Sequence, residues 1–105
     1  MTDRELLELA AKAANIEYQR TDDGEVIEYF GGGLQLPFDG GKWNPLTDDG
    51  DALRLAVKLG FVVETPKYTG FGTTCGNQTV FLDDPLEQTR HAIVRYSAEI
   101  GKQIP

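Results

Sequence analysis

The chain has 105 residues and a mass of 11.6 kDa, the size of one ordinary domain. Hydrophobic residues make up 40% and charged residues 26%, which is globular composition and excludes a disordered chain. Seventeen acidic against ten basic side chains give a formal charge of -7. That balance argues against direct binding to nucleic acid or to an anionic membrane, because both need a basic face.

The single Cys75 excludes an internal disulfide and a CxxC metal site. No apolar run approaches the roughly 20 residues of a membrane span. The opening Met1-Thr2-Asp3-Arg4 lacks a basic-then-apolar signal pattern. The expectation is a soluble, intracellular single domain over residues 1–105, able to bury roughly two-thirds of its unfolded surface.

The first element is a helix over residues 3–14. Thr2 and Glu5 form a capping box, and Leu6, Leu7, Leu9, Ala10, Ala13 and Ala14 make its apolar stripe. Asn15 tolerates the left-handed conformation that stops it. Residues 16–20 and 25–30 alternate around Thr21-Asp22-Asp23-Gly24 and read as a hairpin. After three glycines, Leu34, Leu36 and Phe38 suggest a short third strand, with Pro37 confining it to an edge. Asp39-Gly40-Gly41-Lys42 reads as a turn.

Asp48 caps a second helix, with Asp51 at its third position, and Gly60 ends it. Only Arg54 and Lys58 mark a wet side, so this helix is expected to be the most buried. Leu53, Ala56, Val57 and Leu59 would form the centre of the core with Val62, Phe81, Ile93 and Leu6. Residues 61–65 read as a strand, 66–78 as a long Gly- and Thr-rich connection, and 79–82 as a returning strand. Asp84, Pro85 and Glu87 open a third helix, with Leu86, Ile93, Tyr96 and Ile100 at helical spacing. The order α-β-β-(β)-α-β-β-α predicts an α+β domain, an antiparallel sheet covered by three helices.

Catalytic chemistry is poorly represented. His91 and Cys75 are the only residues of their kinds, placed in a helix body and a loop, with no orienting partner. Ser97, the only serine, lies inside the third helix and belongs to no nucleophile elbow. Asp48, Asp49 and Asp51 lack the alternating pattern of a calcium loop, and capping accounts for them without a metal. The glycines at 31–33 and 70–72 match no phosphate-loop motif. No enzymatic activity, cofactor or metal is expected, although paired carboxylates alone can catalyse.

The most distinctive feature is electrostatic. Residues 21–51 hold eight acids and one base, Lys42. Tyr29, Phe30, Phe38 and Trp43 lie among them. A surface of this kind suits a basic protein partner, with Asp22, Asp23, Asp39, Trp43, Asp48 and Asp49 as contact residues. The plainer alternative is a solvated face that confers solubility.

Trp43-Asn44-Pro45-Leu46-Thr47-Asp48-Asp49-Gly50-Asp51-Ala52-Leu53, continuing to Leu59, resembles the central motif of the phage ABA-sandwich domain, a family of small tailed-phage and prophage proteins akin to the NinX-like proteins. The segment 2–14 is similar to the first helix of that family, and 89–95 with 98–101 to its last. Together they cover about half the chain; 16–42 and 61–82 do not match. The resemblance implies an α/β sandwich and a phage or prophage origin; the expected location is the host cytoplasm. It implies no catalytic residues, and it reports fold better than function.

The reading that joins these features is a non-catalytic phage accessory protein that engages a host protein, such as a component of antiviral defence. One alternative is a sponge for a nucleotide signal, with Lys67, Arg90 and Arg95 as its cations. Another is an acidic DNA mimic, for which -7 is modest. A homodimer is compatible with the first two readings.

Overall fold

The computed structural model describes residues 2–15, 18–20, 27–29, 42–67 and 71–105. Helix α1 (Asp3–Ala13) starts at Thr2, whose hydroxyl oxygen accepts from the Glu5 backbone N–H at 3.2 Å. The same hydroxyl donates to Glu5 Oε1 at 3.2 Å, so the box closes on the side chain. Asn15, at φ 57°, follows the helix in the left-handed region.

Strands β1 (Tyr18–Arg20) and β2 (Ile27–Tyr29) pair antiparallel with Tyr18 opposite Tyr29, as a hairpin requires. The turn between them and the strand expected at 34–38 lie outside the described residues. β3 (Lys42–Trp43) completes this sheet, with Trp43 opposite Ile27. Sequence reading placed Lys42 in a turn instead. A two-residue strand is too short for its own alternation to be read.

Helix α2 (Asp49–Leu59) is capped as expected: Asp48 Oδ2 accepts from Asp51 N at 2.8 Å, and Gly60 closes it at φ 71°. β4 (Val63–Glu64), β5 (Thr73–Cys75) and β6 (Gln78–Val80) form a second antiparallel sheet in that order. The 66–78 segment is therefore not wholly a connection. Its latter half is a strand and a tight turn, with Cys75 opposite Gln78. Gly76, at φ 57°, supplies the positive φ that a two-residue hairpin loop needs. Helix α3 (Pro85–Lys102) starts where Asp84 Oδ1 accepts from Leu86 N at 3.0 Å.

The result is an α+β fold in which the described residues form two small three-stranded sheets rather than one. α3 is its axis: α1 and α2 pack on it, as do β5 and β6, while β2 runs beside α1. Leu7, Ala10, Ala11, Ala14, Trp43, Leu46, Leu55, Val80, Ile93 and Val94 belong to one buried cluster.

α2 is rotated relative to the expected core. It buries Asp51, Ala52, Leu55 and Ala56, while Leu53 is 63% and Val57 71% exposed. Its apolar residues Ala52, Leu53, Leu55, Ala56, Val57 and Leu59 are spread around much of the helix, so its own pattern does not choose an inner side; packing against its neighbours does. Val62 and Phe81 are also exposed, and the buried residue of β6 is Val80. The strand alternation holds, shifted by one residue. Leu86 likewise faces out, whereas Ile93 is buried and Leu6 packs at the edge of the core as expected.

This arrangement predicts that Leu55→Ala costs about 2–5 kcal/mol, whereas Leu53→Ala costs less than about 1 kcal/mol. Urea unfolding of the two variants separates them. Equal losses would contradict the orientation of α2.

Candidate functional site

The motif at 43–51 folds as a closed local unit. Asn44 Oδ1 accepts from Leu46 N at 3.0 Å, and the Asn44 carbonyl accepts from Asp48 N at 2.9 Å. Asp51 reaches back from the first turn of α2: one carboxylate oxygen accepts from Asn44 N at 3.0 Å, the other from Arg54 at 2.8 Å. Asp51 is 6% exposed, so these donors replace the water it gives up. Trp43 and Pro45 are buried beneath.

Three expected contact residues therefore have other duties. Trp43 is 3% exposed and belongs to the core, so it offers no aromatic anchor to a partner. Asp49 pairs with Arg90 Nη1, and Arg90 Nε donates to the Leu46 carbonyl at 2.9 Å. Asp48 is exposed and serves as the cap. Asp22, Asp23 and Asp39 lie outside the described residues.

The Arg90–Asp49 pair also bears on the anion-binding alternative. It consumes a residue from each expected set in one brace between α2 and α3. Lys67 borders an open cavity of about 300 Å³ with Glu64, Thr65, Pro66, Phe71, Gly72 and Thr74. Neither Arg90 nor Arg95 lines it, and Glu64 brings negative charge to its wall. Arg95 is exposed on α3. The three cations do not share that cavity.

Cys75 is not a loop thiol. It is fully buried in β5, and burial pushes its pKa from 9.0 up to about 11. His91 Nε2 faces Glu87 Oε1 at 3.9 Å along α3. A nucleophilic pair needs an accessible thiolate, which this environment opposes. Ser97 is buried and donates to the Ile93 carbonyl at 2.7 Å, one turn back in its own helix.

A buried glutamine shapes the surface that sequence reading missed. Gln88, 3% exposed, donates to the Phe71 carbonyl at 3.1 Å and the Thr73 hydroxyl at 3.0 Å. Its Oε1 accepts from Leu82 N at 2.9 Å. Thr73 and Thr89 exchange a further bond at 3.1 Å. These contacts fasten the start of β5 and the exit of β6 to α3. Val80 points inward, and Phe81 (67% exposed), Leu82 (40%) and Leu86 (59%) stand in solvent around the start of α3. Asp83, Asp84 and Glu87, all exposed, lie beside them. The signal was Phe81-Leu82-Asp83-Asp84-Pro85-Leu86, apolar residues interleaved with a helix cap, but the apolar pair reads equally as a core strand.

Among the described residues, no group of three or more His, Cys, Asp or Glu side chains is placed to hold a metal ion, and no helix is long and apolar enough to cross a membrane.

Two measurements probe these assignments. Arg90→Ala should cost about 1–3 kcal/mol, because it leaves the Leu46 carbonyl without its donor. Asp49→Asn should cost less than about 1 kcal/mol, since its carboxylate is well exposed. Chemical denaturation checks both, and the reverse order would overturn the brace. For Cys75, the native state holds its proton up to about pH 11, while the unfolded chain releases it from 9.0. The contribution to stability is complete below pH 9 and falls between pH 9 and 11. The loss should reach roughly 2–3 kcal/mol. Unfolding curves of Cys75→Ala across this window should be flatter than those of the unaltered chain by about that amount. Equal slopes would refute the burial of the thiol.

A comparison against family models, curated proteins and solved structures finds no match for this chain.

Proposed function

We propose that this chain is a small, non-catalytic binding protein that engages another protein, in the manner of phage or prophage accessory proteins acting on a host protein. One observation carries the reading: Phe81, Leu82 and Leu86 stand in water beside Asp83, Asp84 and Glu87. Large apolar side chains gathered at one place on a small domain favour association, because docking removes them from water. The neighbouring carboxylates select the partner. A segment with apolar anchors and flanking Lys or Arg satisfies both halves of the surface. The excess negative charge of the chain extends the same preference to longer range and speeds encounter at low salt.

The side chains suited to chemistry support the same reading. The Cys75 thiol is buried and held protonated, Ser97 is bonded within its helix, and the acids at 48–51 serve the cap and the Arg90 brace. The nucleotide-sponge alternative loses Arg90 to that brace, and with it the cation on which a phosphate clamp would depend.

The test is capture of host proteins on immobilised chain, compared with Phe81→Asp, with mass spectrometry of small molecules released on denaturation. A host protein held at low salt, released at high salt and lost on Phe81→Asp is the expected result. Phe81 is exposed, so the variant should keep the fold, which circular dichroism checks. Release of a nucleotide from the purified chain, with no protein retained selectively, would overturn the proposal in favour of the sponge.

A further inference from the structure

A second exposed strip crosses from α3 to α2. Leu86 stands one turn before Arg90, so the two share a side of α3. Arg90 pairs with Asp49, the first residue of α2. Leu53 and then Val57 follow Asp49 at successive turns on one side of α2. Leu86, Leu53 and Val57 are 59%, 63% and 71% exposed. The row thus runs Leu86, Arg90–Asp49, Leu53, Val57, with apolar side chains on either side of a bridged ion pair.

The two halves of this row carry opposite charge. On α3 the flanking residues are Asp83, Asp84 and Glu87. On α2 they are Lys58 and Arg54, both exposed, with Arg54 bridged to the buried Asp51. A basic, apolar helix face stands out on a chain with 17 acids to 10 bases. A surface that is acidic and apolar in one half and basic and apolar in the other is complementary to its own copy. Turning a second copy by a two-fold rotation lays the acidic half of each on the basic half of the other.

We propose that this row is a homodimer interface, with the two-fold axis near the Arg90–Asp49 pairs. The α2 face of each copy, Leu53 and Val57, covers Leu86 of the other, and Lys58 meets Glu87 across the interface twice. The inference goes beyond the docking of a host protein and needs no foreign chain. The charges make the dimer sensitive to salt, and the modest apolar area makes it reversible on dilution.

Sedimentation of the purified chain, from low micromolar to several hundred micromolar, tests this. The expected result is a dimer at low salt that dissociates on dilution and in high salt. Val57→Asp should give a monomer with unchanged circular dichroism, because this side chain makes little contact within its own copy. Lys58→Glu and Glu87→Lys should each weaken the dimer by about tenfold or more, and the two together should restore it. A chain that is monomeric throughout the range overturns the proposal. So does a dimer that survives Val57→Asp, or a double charge reversal that fails to recover. Val57→Asp leaves Phe81 in place, so loss of the dimer and loss of host-protein capture are read on separate variants.

Discussion

The close approach of α1 and α3 is the constraint on which the rest of the structure depends. Gly101 lies directly against the backbone of Leu9, and a Cβ there would overlap the Leu9 carbonyl oxygen. A backbone atom cannot swing aside as a side chain can. Ala10, Ala11, Ala14, Ala92 and Ala98 are each at most 1% exposed, so the buried parts of both helices are largely small. Small side chains let two helix backbones come near, and dispersion contacts then accumulate along the length of the seam. Lys12 adds a bond to the Ile104 carbonyl at 2.7 Å, which ties the end of the chain to α1.

With α1 fixed on it, α3 can serve other neighbours with other residues. Gln88 and Thr89 hold the strand ends, Arg90 braces the cap of α2, and Tyr96 lies over the hairpin turn. That last contact explains a glycine: a Cβ at Gly76 would enter the Tyr96 ring, and the positive φ independently disfavours a side chain. Phe61 meets the same ring edge-to-face, with centroids 4.9 Å apart. The polar contacts of α3 cluster in its first turns, around Gln88 and Arg90, and the small-residue seam continues to Gly101. The exposed Leu86 therefore sits at a firmly held part of the helix. A docking surface built there loses little freedom when it is occupied.

What was legible in the sequence follows from the range of each interaction. The caps at Thr2, Asp48 and Asp84 were readable because donor and acceptor lie two or three residues apart. The hairpin of β1 and β2 was readable from alternation around an Asp-Gly. β5 was missed because Thr73-Thr74-Cys75 sits between glycines, and its strand character comes from two flanking partners rather than from its own pattern. The orientation of α2 was missed because a helix apolar on most sides carries little directional information. The site suffered in the same way. Arg90 and Asp49 are separated by 41 residues, so nothing local showed that a candidate cation and a candidate acid would neutralise one another. Trp43 was ambiguous for a related reason: an aromatic residue among acids fits an anchor or a core, and burial alone decides.

The acidic character of the chain is thereby redistributed. Asp51 is enclosed by donors, and the exposed Asp49 is matched by Arg90, so two of the acids around the cap are already partnered within the fold. Asp83, Asp84 and Glu87 are exposed and adjoin apolar side chains instead. A charge near a face that will lose its water acts more strongly on an incoming partner than one screened on all sides. The proposed docking surface and the proposed dimer both draw on this arrangement, and they share Leu86. Phe81 and Leu82 belong to the first, Leu53 and Val57 to the second. Occupation of one surface therefore brings carboxylates to the edge of the other. A second copy that places Lys58 beside Glu87 removes part of the charge that would attract a basic host segment, so dimerisation and capture oppose one another through Glu87 even where their contact residues differ.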